Sequence, residues 1–109
     1  MPGWILQSSE RAPLILRLTP GCVKTVGRGT AADFIVDAAL VSRLHCRLNA
    51  EAADRLVVED LKSTNGTIVN GRKTDRAILQ AGDTLTIGRL TLRVSKGTEV
   101  DLWKTPGTP

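Results

Sequence analysis

Three short polar segments carry the residues with usable chemistry: Gly27-Arg28, Ser42-Arg43-Leu44-His45 and Ser63-Thr64-Asn65-Gly66-Thr67. Together they offer two guanidinium groups, several small hydroxyls and an amide. A guanidinium fork can engage two phosphate oxygens at once, which an ammonium cannot duplicate. A hydroxyl adds a donor, and an amide can pair with both the donor and the acceptor of an extended peptide backbone. A phosphate monoester brings nearly two negative charges and three strong acceptor oxygens. The set therefore suits a phosphate carried on a peptide and is poorly suited to breaking bonds.

Each segment also has a plainer local reading. Arg28, between Gly27 and Gly29-Thr30, can be a surface arginine in a turn. Ser42 can be a turn or cap residue. Thr64-Asn65-Gly66 can simply close a hairpin, since glycine supplies a positive φ. Asn70-Gly71 repeats the dipeptide between Val69 and Arg72-Lys73, and there a simple hairpin is the expected role. His45 is the only histidine and alternates with core candidates in His45-Cys46-Arg47-Leu48. With no nucleophile or carboxylate pattern beside it, it reads as a structural hydrogen-bonding group.

Composition narrows the remaining classes. The chain has 109 residues, enough for one hydrophobic core, so residues 1–109 are expected to form a single domain. Its formal charge is +4, which permits steering toward anions without identifying them. Two Trp, one Phe and no Tyr leave few rings on which bases could stack, so nucleic-acid binding is not expected. Cys22 and Cys46 lack metal-ligand spacing, and with one histidine no metal site or cofactor is expected. Both are read as reduced, buried thiols. No continuous apolar run approaches membrane-spanning length, so no membrane partner is expected and the compartment is expected to be intracellular, cytoplasmic or nuclear.

The elements that must position these segments are short strands. Apolar or alternating runs occur at residues 4–6, 14–18, 22–26, 34–36, 45–48, 56–59, 67–69, 77–79, 84–87 and 90–94. Between them lie turn signals at Pro20-Gly21, Asn65-Gly66, Asn70-Gly71, Ala81-Gly82-Asp83 and Gly88, too closely spaced for ordinary helices. Residues 31–32 and 50–53 could each tolerate a helical turn but are too short to hold a helix alone. An all-β sandwich follows, with Val57, Ile68, Leu85, Ile87, Leu90, Leu92 and Val94 as core candidates.

The order and spacing of Gly27-Arg28, Ser42-Arg43-Leu44-His45, Asp60-Leu61-Lys62-Ser63-Thr64-Asn65-Gly66-Thr67, Val69-Asn70-Gly71, Leu79-x-x-Gly82-Asp83 and Ile87-Gly88 resemble the forkhead-associated (FHA) domain, over about residues 22–95. The resemblance implies an eleven-stranded β-sandwich of the FHA/SMAD-like type, with loops at one end gripping an extended phosphothreonine peptide. It implies phosphate contacts from Arg28 and Ser42, assisted by Arg43 and Thr64, with Asn65 on the peptide backbone. Gly27, His45 and Gly66 are implied to shape and brace the loops. A small pocket for the threonine methyl group is implied as well. The residue three places after phosphothreonine often adds selectivity in the family, but the adjoining Ala38-Ala39-Leu40 contains no positive selector.

The expected function is thus a non-catalytic, phosphothreonine-dependent interaction module in kinase-linked signalling, whose partner is a phosphothreonine-containing protein or peptide. A phospho-independent or homotypic interaction module is the alternative. A phosphatase lacks both a metal-ligand cluster and an activated nucleophile in this sequence.

Overall fold

A computed structural model describes residues 3–9, 11 and 13–97. Eleven strands occur among these residues: β1 (Gly3–Ser8), β2 (Ile15–Leu18), β3 (Val23–Gly27), β4 (Phe34–Ile35), β5 (Cys46–Ala52), β6 (Arg55–Asp60), β7 (Thr67–Val69), β8 (Arg72–Thr74), β9 (Arg76–Leu79), β10 (Thr84–Ile87) and β11 (Leu90–Gly97). They form a six-stranded sheet ordered β2-β1-β11-β10-β7-β8 and a five-stranded sheet ordered β4-β3-β5-β6-β9. All pairings are antiparallel except β3 with β4.

Alternation places the core between the sheets. Leu90, Leu92 and Val94 of β11 point inward while Thr91 and Arg93 face solvent, and Leu85 and Ile87 follow the same rule on β10. Opposite them, Cys46, Leu48 and Ala50 of β5 and Leu56 and Val58 of β6 supply the second wall. Trp4 is buried at one end of this core, its indole N–H donating to the Ala52 carbonyl at 3.1 Å. Burying each large aliphatic side chain contributes about 1.5–3 kcal/mol.

Two of the expected core residues lie elsewhere. On β7, Thr67 is buried and Val69 packs on the core, so Ile68 faces outward and is only half-buried. Alternation within a three-residue strand is too short to fix its phase, and the small Thr67 takes the inward position. Val57 is buried but lies on the outer face of its sheet, in a groove it shares with Arg47, Glu59 and Arg76. Long charged side chains cover apolar surface there.

Strand β8 was not visible as an apolar run because Arg72-Lys73-Thr74 contains none; it exists by pairing with β7 across the Asn70-Gly71 turn. Asn70 and Gly71 have φ of 49° and 81°, as a two-residue hairpin of this twist requires. Residues 50–52 are strand rather than a helical turn, with a bulge between Ala50 and Ala52. Cys22 and Cys46 are both free thiols, Cys46 buried and Cys22 half-buried.

Candidate functional site

The positioning of Arg28 begins with Gly27, the last residue of β3. A Cβ there would lie 2.0 Å from the Arg43 carbonyl oxygen, so only glycine allows the two chains to run this close. Beyond it the Arg28 N–H donates to the Ser42 carbonyl at 2.9 Å and the Gly29 N–H to the Arg43 carbonyl at 3.0 Å. Arg28 and Arg43 thus extend from two backbone segments locked side by side. Both are exposed, and neither forms an ion pair with another described residue.

The loop from β6 to β7 is fastened to the same place. The Thr64 N–H donates to Ser42 Oγ at 3.0 Å, which orients the Ser42 hydroxyl oxygen toward that loop and leaves its proton for another acceptor. The Asn65 amide nitrogen donates to the Leu40 carbonyl at 3.0 Å, leaving its carbonyl oxygen uncommitted among these contacts. All five residues expected to contact a ligand, Arg28, Ser42, Arg43, Thr64 and Asn65, therefore lie on three loops joined by direct hydrogen bonds.

His45 is fully buried beneath them. The Ser42 N–H donates to its Nδ1 at 3.0 Å, and its Nε2 lies 2.8 Å from the Gly66 carbonyl. A backbone N–H can only donate and a carbonyl can only accept, so Nδ1 is bare and Nε2 carries the proton. One neutral imidazole thereby ties the Ser42 loop to the Gly66 loop with both ring nitrogens occupied. Gly66 needs its φ of 86°, and its open side is covered by the aliphatic stem of Lys73.

A second brace was not singled out from sequence. Asp60 Oδ1 accepts from the Ser63 hydroxyl and from Thr67 Oγ1 at 2.8 Å, while Oδ2 accepts the Ser63 N–H at 3.2 Å. Ser63 Oγ in turn accepts the Gly66 N–H at 2.9 Å. Burial alone would push the Asp60 carboxyl up, but the Ser63 and Thr67 hydrogen bonds outweigh it and hold the group below the usual carboxylate range. Asp60 and Ser63 stand three residues apart, a spacing at which an Asp side chain accepts a following backbone N–H, and this was the available signal.

Nothing beside the histidine is poised for chemistry. Burial, then the Asp60 charge, pushes the Cys46 thiol up to about 12, so it stays protonated and a poor nucleophile. Among the described residues no group of three His, Cys, Asp or Glu side chains could hold a metal ion. No described helix is long and apolar enough to cross a membrane.

Comparison with known proteins gives a consistent picture. The FHA domain family model matches residues 24–88. Over 81 residues, 74% of this chain, the sequence is 38% identical to the ABC transporter ATP-binding/permease protein Rv1747 of Mycobacterium tuberculosis. That match spans 9% of the transporter, and the chain spans about half the length of several further curated relatives. Among solved structures, the FHA domain of the CT664 protein from Chlamydia trachomatis superposes with a TM-score of 0.81 at 25% identity, covering 88% of this chain and 99% of that one. An FHA domain studied for phosphothreonine-dependent interactions superposes at 0.77 with 29% identity, covering 85% of this chain and 95% of that one.

Proposed function

The chain belongs to the FHA domain family, a family of non-catalytic interaction modules that generally bind phosphothreonine peptides, and on that premise we propose that it recruits a phosphothreonine-containing partner protein in kinase-linked signalling inside the cell. Arg28 and Ser42 take the phosphate, with Arg43 and Thr64 beside them, and Asn65 pairs with the peptide backbone. Gly27, His45 and Gly66 hold the loops in place. The observation that carries this reading is the Thr64 N–H to Ser42 Oγ hydrogen bond. It joins the two hydroxyl-bearing loops next to the Arg28 segment and frees the Ser42 proton for an anion.

The physical case rests on charge and preorganisation. Arg28 and Arg43 extend from backbone segments that run side by side, and a phosphate dianion can accept from both guanidinium groups. Loops already tied together lose little freedom on binding. Three otherwise identical peptides, titrated at fixed ionic strength, test the proposal. Phosphothreonine should bind best, phosphoserine about five-fold more weakly through loss of one methyl contact worth about 1 kcal/mol, and threonine last. Equal affinity for phosphothreonine and phosphoserine would refute the methyl pocket; equal affinity for all three would refute phosphate recognition.

A phospho-independent or homotypic role has one observation in its favour. The outer face of the five-stranded sheet carries Val23, Ile35 and Ile78 about half exposed, beside the groove over Val57. Ile78→Asp would abolish binding that uses this face and leave phosphopeptide titrations unchanged.

A further inference from the structure

The Ala38-Ala39-Leu40 segment contains no cation to select a flanking residue, yet the fold delivers one from 49 positions along the chain. Gly88 and Arg89 form the turn between β10 and β11. The Arg89 N–H donates to the Ala39 carbonyl at 2.9 Å. Gly88, at φ 57°, is pressed so close to Leu40 that a Cβ would lie 2.5 Å from the Leu40 carbonyl carbon. A two-residue hairpin needs no such docking to close. The glycine instead allows a backbone approach that places Arg89 on the loop whose Leu40 carbonyl accepts from Asn65.

Arg89 is exposed and forms no ion pair with another described residue. The ordinary alternative, an arginine neutralised by a neighbouring carboxylate, therefore does not hold. The Ala39 carbonyl that anchors Arg89 stands three residues before Ser42, so at most about 11 Å of chain separates that anchor from the phosphate-side loop. An extended peptide advances about 3.3 Å per residue. A side chain two or three residues from the phosphothreonine therefore comes within reach of the Arg89 guanidinium.

The geometry points to Arg89 as a specificity-determining residue that selects an acidic side chain, Asp or Glu, two or three residues from the phosphothreonine. This rests on the phosphopeptide reading above. Leu40, itself about half exposed at φ 66°, is the competing selector and would favour an apolar side chain at the same place.

The test is a set of phosphothreonine peptides carrying Asp, Ala, Leu or Lys in turn at the positions two and three residues away on each side. Each is titrated against the parent domain, Arg89→Ala and Arg89→Glu at low and high salt. At one of these positions the parent should prefer Asp over Ala by about five-fold at low salt, less at high salt. Arg89→Ala should level the series, and Arg89→Glu should reverse it in favour of Lys. A parent that binds phosphopeptides but prefers Leu, or whose Asp preference survives Arg89→Glu, overturns the assignment and leaves phosphate recognition standing. A parent that does not distinguish phosphorylated from unphosphorylated peptides overturns both.

Discussion

Asn65-Gly66 and Asn70-Gly71 lie five residues apart, share a dipeptide, and do different work. Gly71 has a positive φ and open space where a Cβ would be, and Asn70 serves its own neighbourhood: its carbonyl accepts the Thr84 N–H at 2.9 Å and its amide donates to Asp83 at 3.1 Å. That is a hairpin fastened to the adjoining strand. At the other pair, Asn65 reaches the Leu40 carbonyl, 25 residues away, and the Gly66 carbonyl receives the buried imidazole of His45. The same turn chemistry thus closes a hairpin in one case and joins separate loops into a surface in the other. What separates them is the partner each finds in the folded chain.

The largest expected effect is at His45. His45→Ala strands the Ser42 N–H and the Gly66 carbonyl in a buried position, at about 1–3 kcal/mol for each unsatisfied group. A total loss of roughly 3 kcal/mol in chemical denaturation is expected, with phosphopeptide affinity falling because the Ser42 and Gly66 loops separate. If stability and binding were both unchanged, the two loops would not depend on this bridge, and the contrast between the Asn-Gly pairs would collapse.

Next in size is Arg28→Ala, set beside Arg72→Ala at the Asn70-Gly71 hairpin. Both remove an exposed arginine, so thermal unfolding should hardly move. Calorimetric titration should show about a thirty-fold loss for Arg28→Ala, about 2 kcal/mol, and no change for Arg72→Ala. Equal losses would mean that the domain senses net charge rather than a positioned guanidinium.

The sandwich was readable from sequence because ten of its eleven strands coincide with short apolar or alternating runs, with the alternation clearest in Leu90, Leu92 and Val94. β8 was not, because Arg72-Lys73-Thr74 has no inward apolar residue and owes its state to its partner. Ile68 was misassigned because three residues give too little alternation to set the phase. The residue types of the candidate site were readable, since Arg28, Ser42 and Asn65 stand in a recognisable order. Its construction was not: the Asp60 hub, the Leu40 carbonyl under Asn65 and the docking of Arg89 on Ala39 are contacts between distant segments, which no local pattern encodes.

A smaller effect separates Asn65 from Asn70 directly. Asn65→Ala removes the amide that would pair with the peptide backbone, so affinity should fall about five-fold, near 1 kcal/mol, with little change in stability at this exposed position. Asn70→Ala should do the converse, costing about 1 kcal/mol of stability through the lost Thr84 and Asp83 bonds and leaving affinity intact. Paired denaturation and titration of the two variants measure both quantities. If Asn65→Ala lost stability alone, its bond to Leu40 would be its whole role, and the two pairs would differ only in where they fasten.

The smallest effect concerns how the loop with Asn65 is held at acid pH. Asp60 titrates below its usual range in the folded protein because Ser63 and Thr67 donate to the ionised form. A depressed carboxyl pKa contributes stability that is complete above the unfolded value, 3.8 for an ordinary Asp, and is lost as the pH falls through the lower folded value. Asp60→Asn keeps the shape but cannot ionise. The parent should therefore be more stable than Asp60→Asn at pH 6, and the gap should shrink steadily below about pH 4. Solvent screening at this partly exposed group keeps the change to a fraction of a kcal/mol, so it must be read as a difference between matched denaturation curves. Parallel curves from pH 6 down to pH 3 would show that hydroxyl geometry, and not the Asp60 charge, holds the loop.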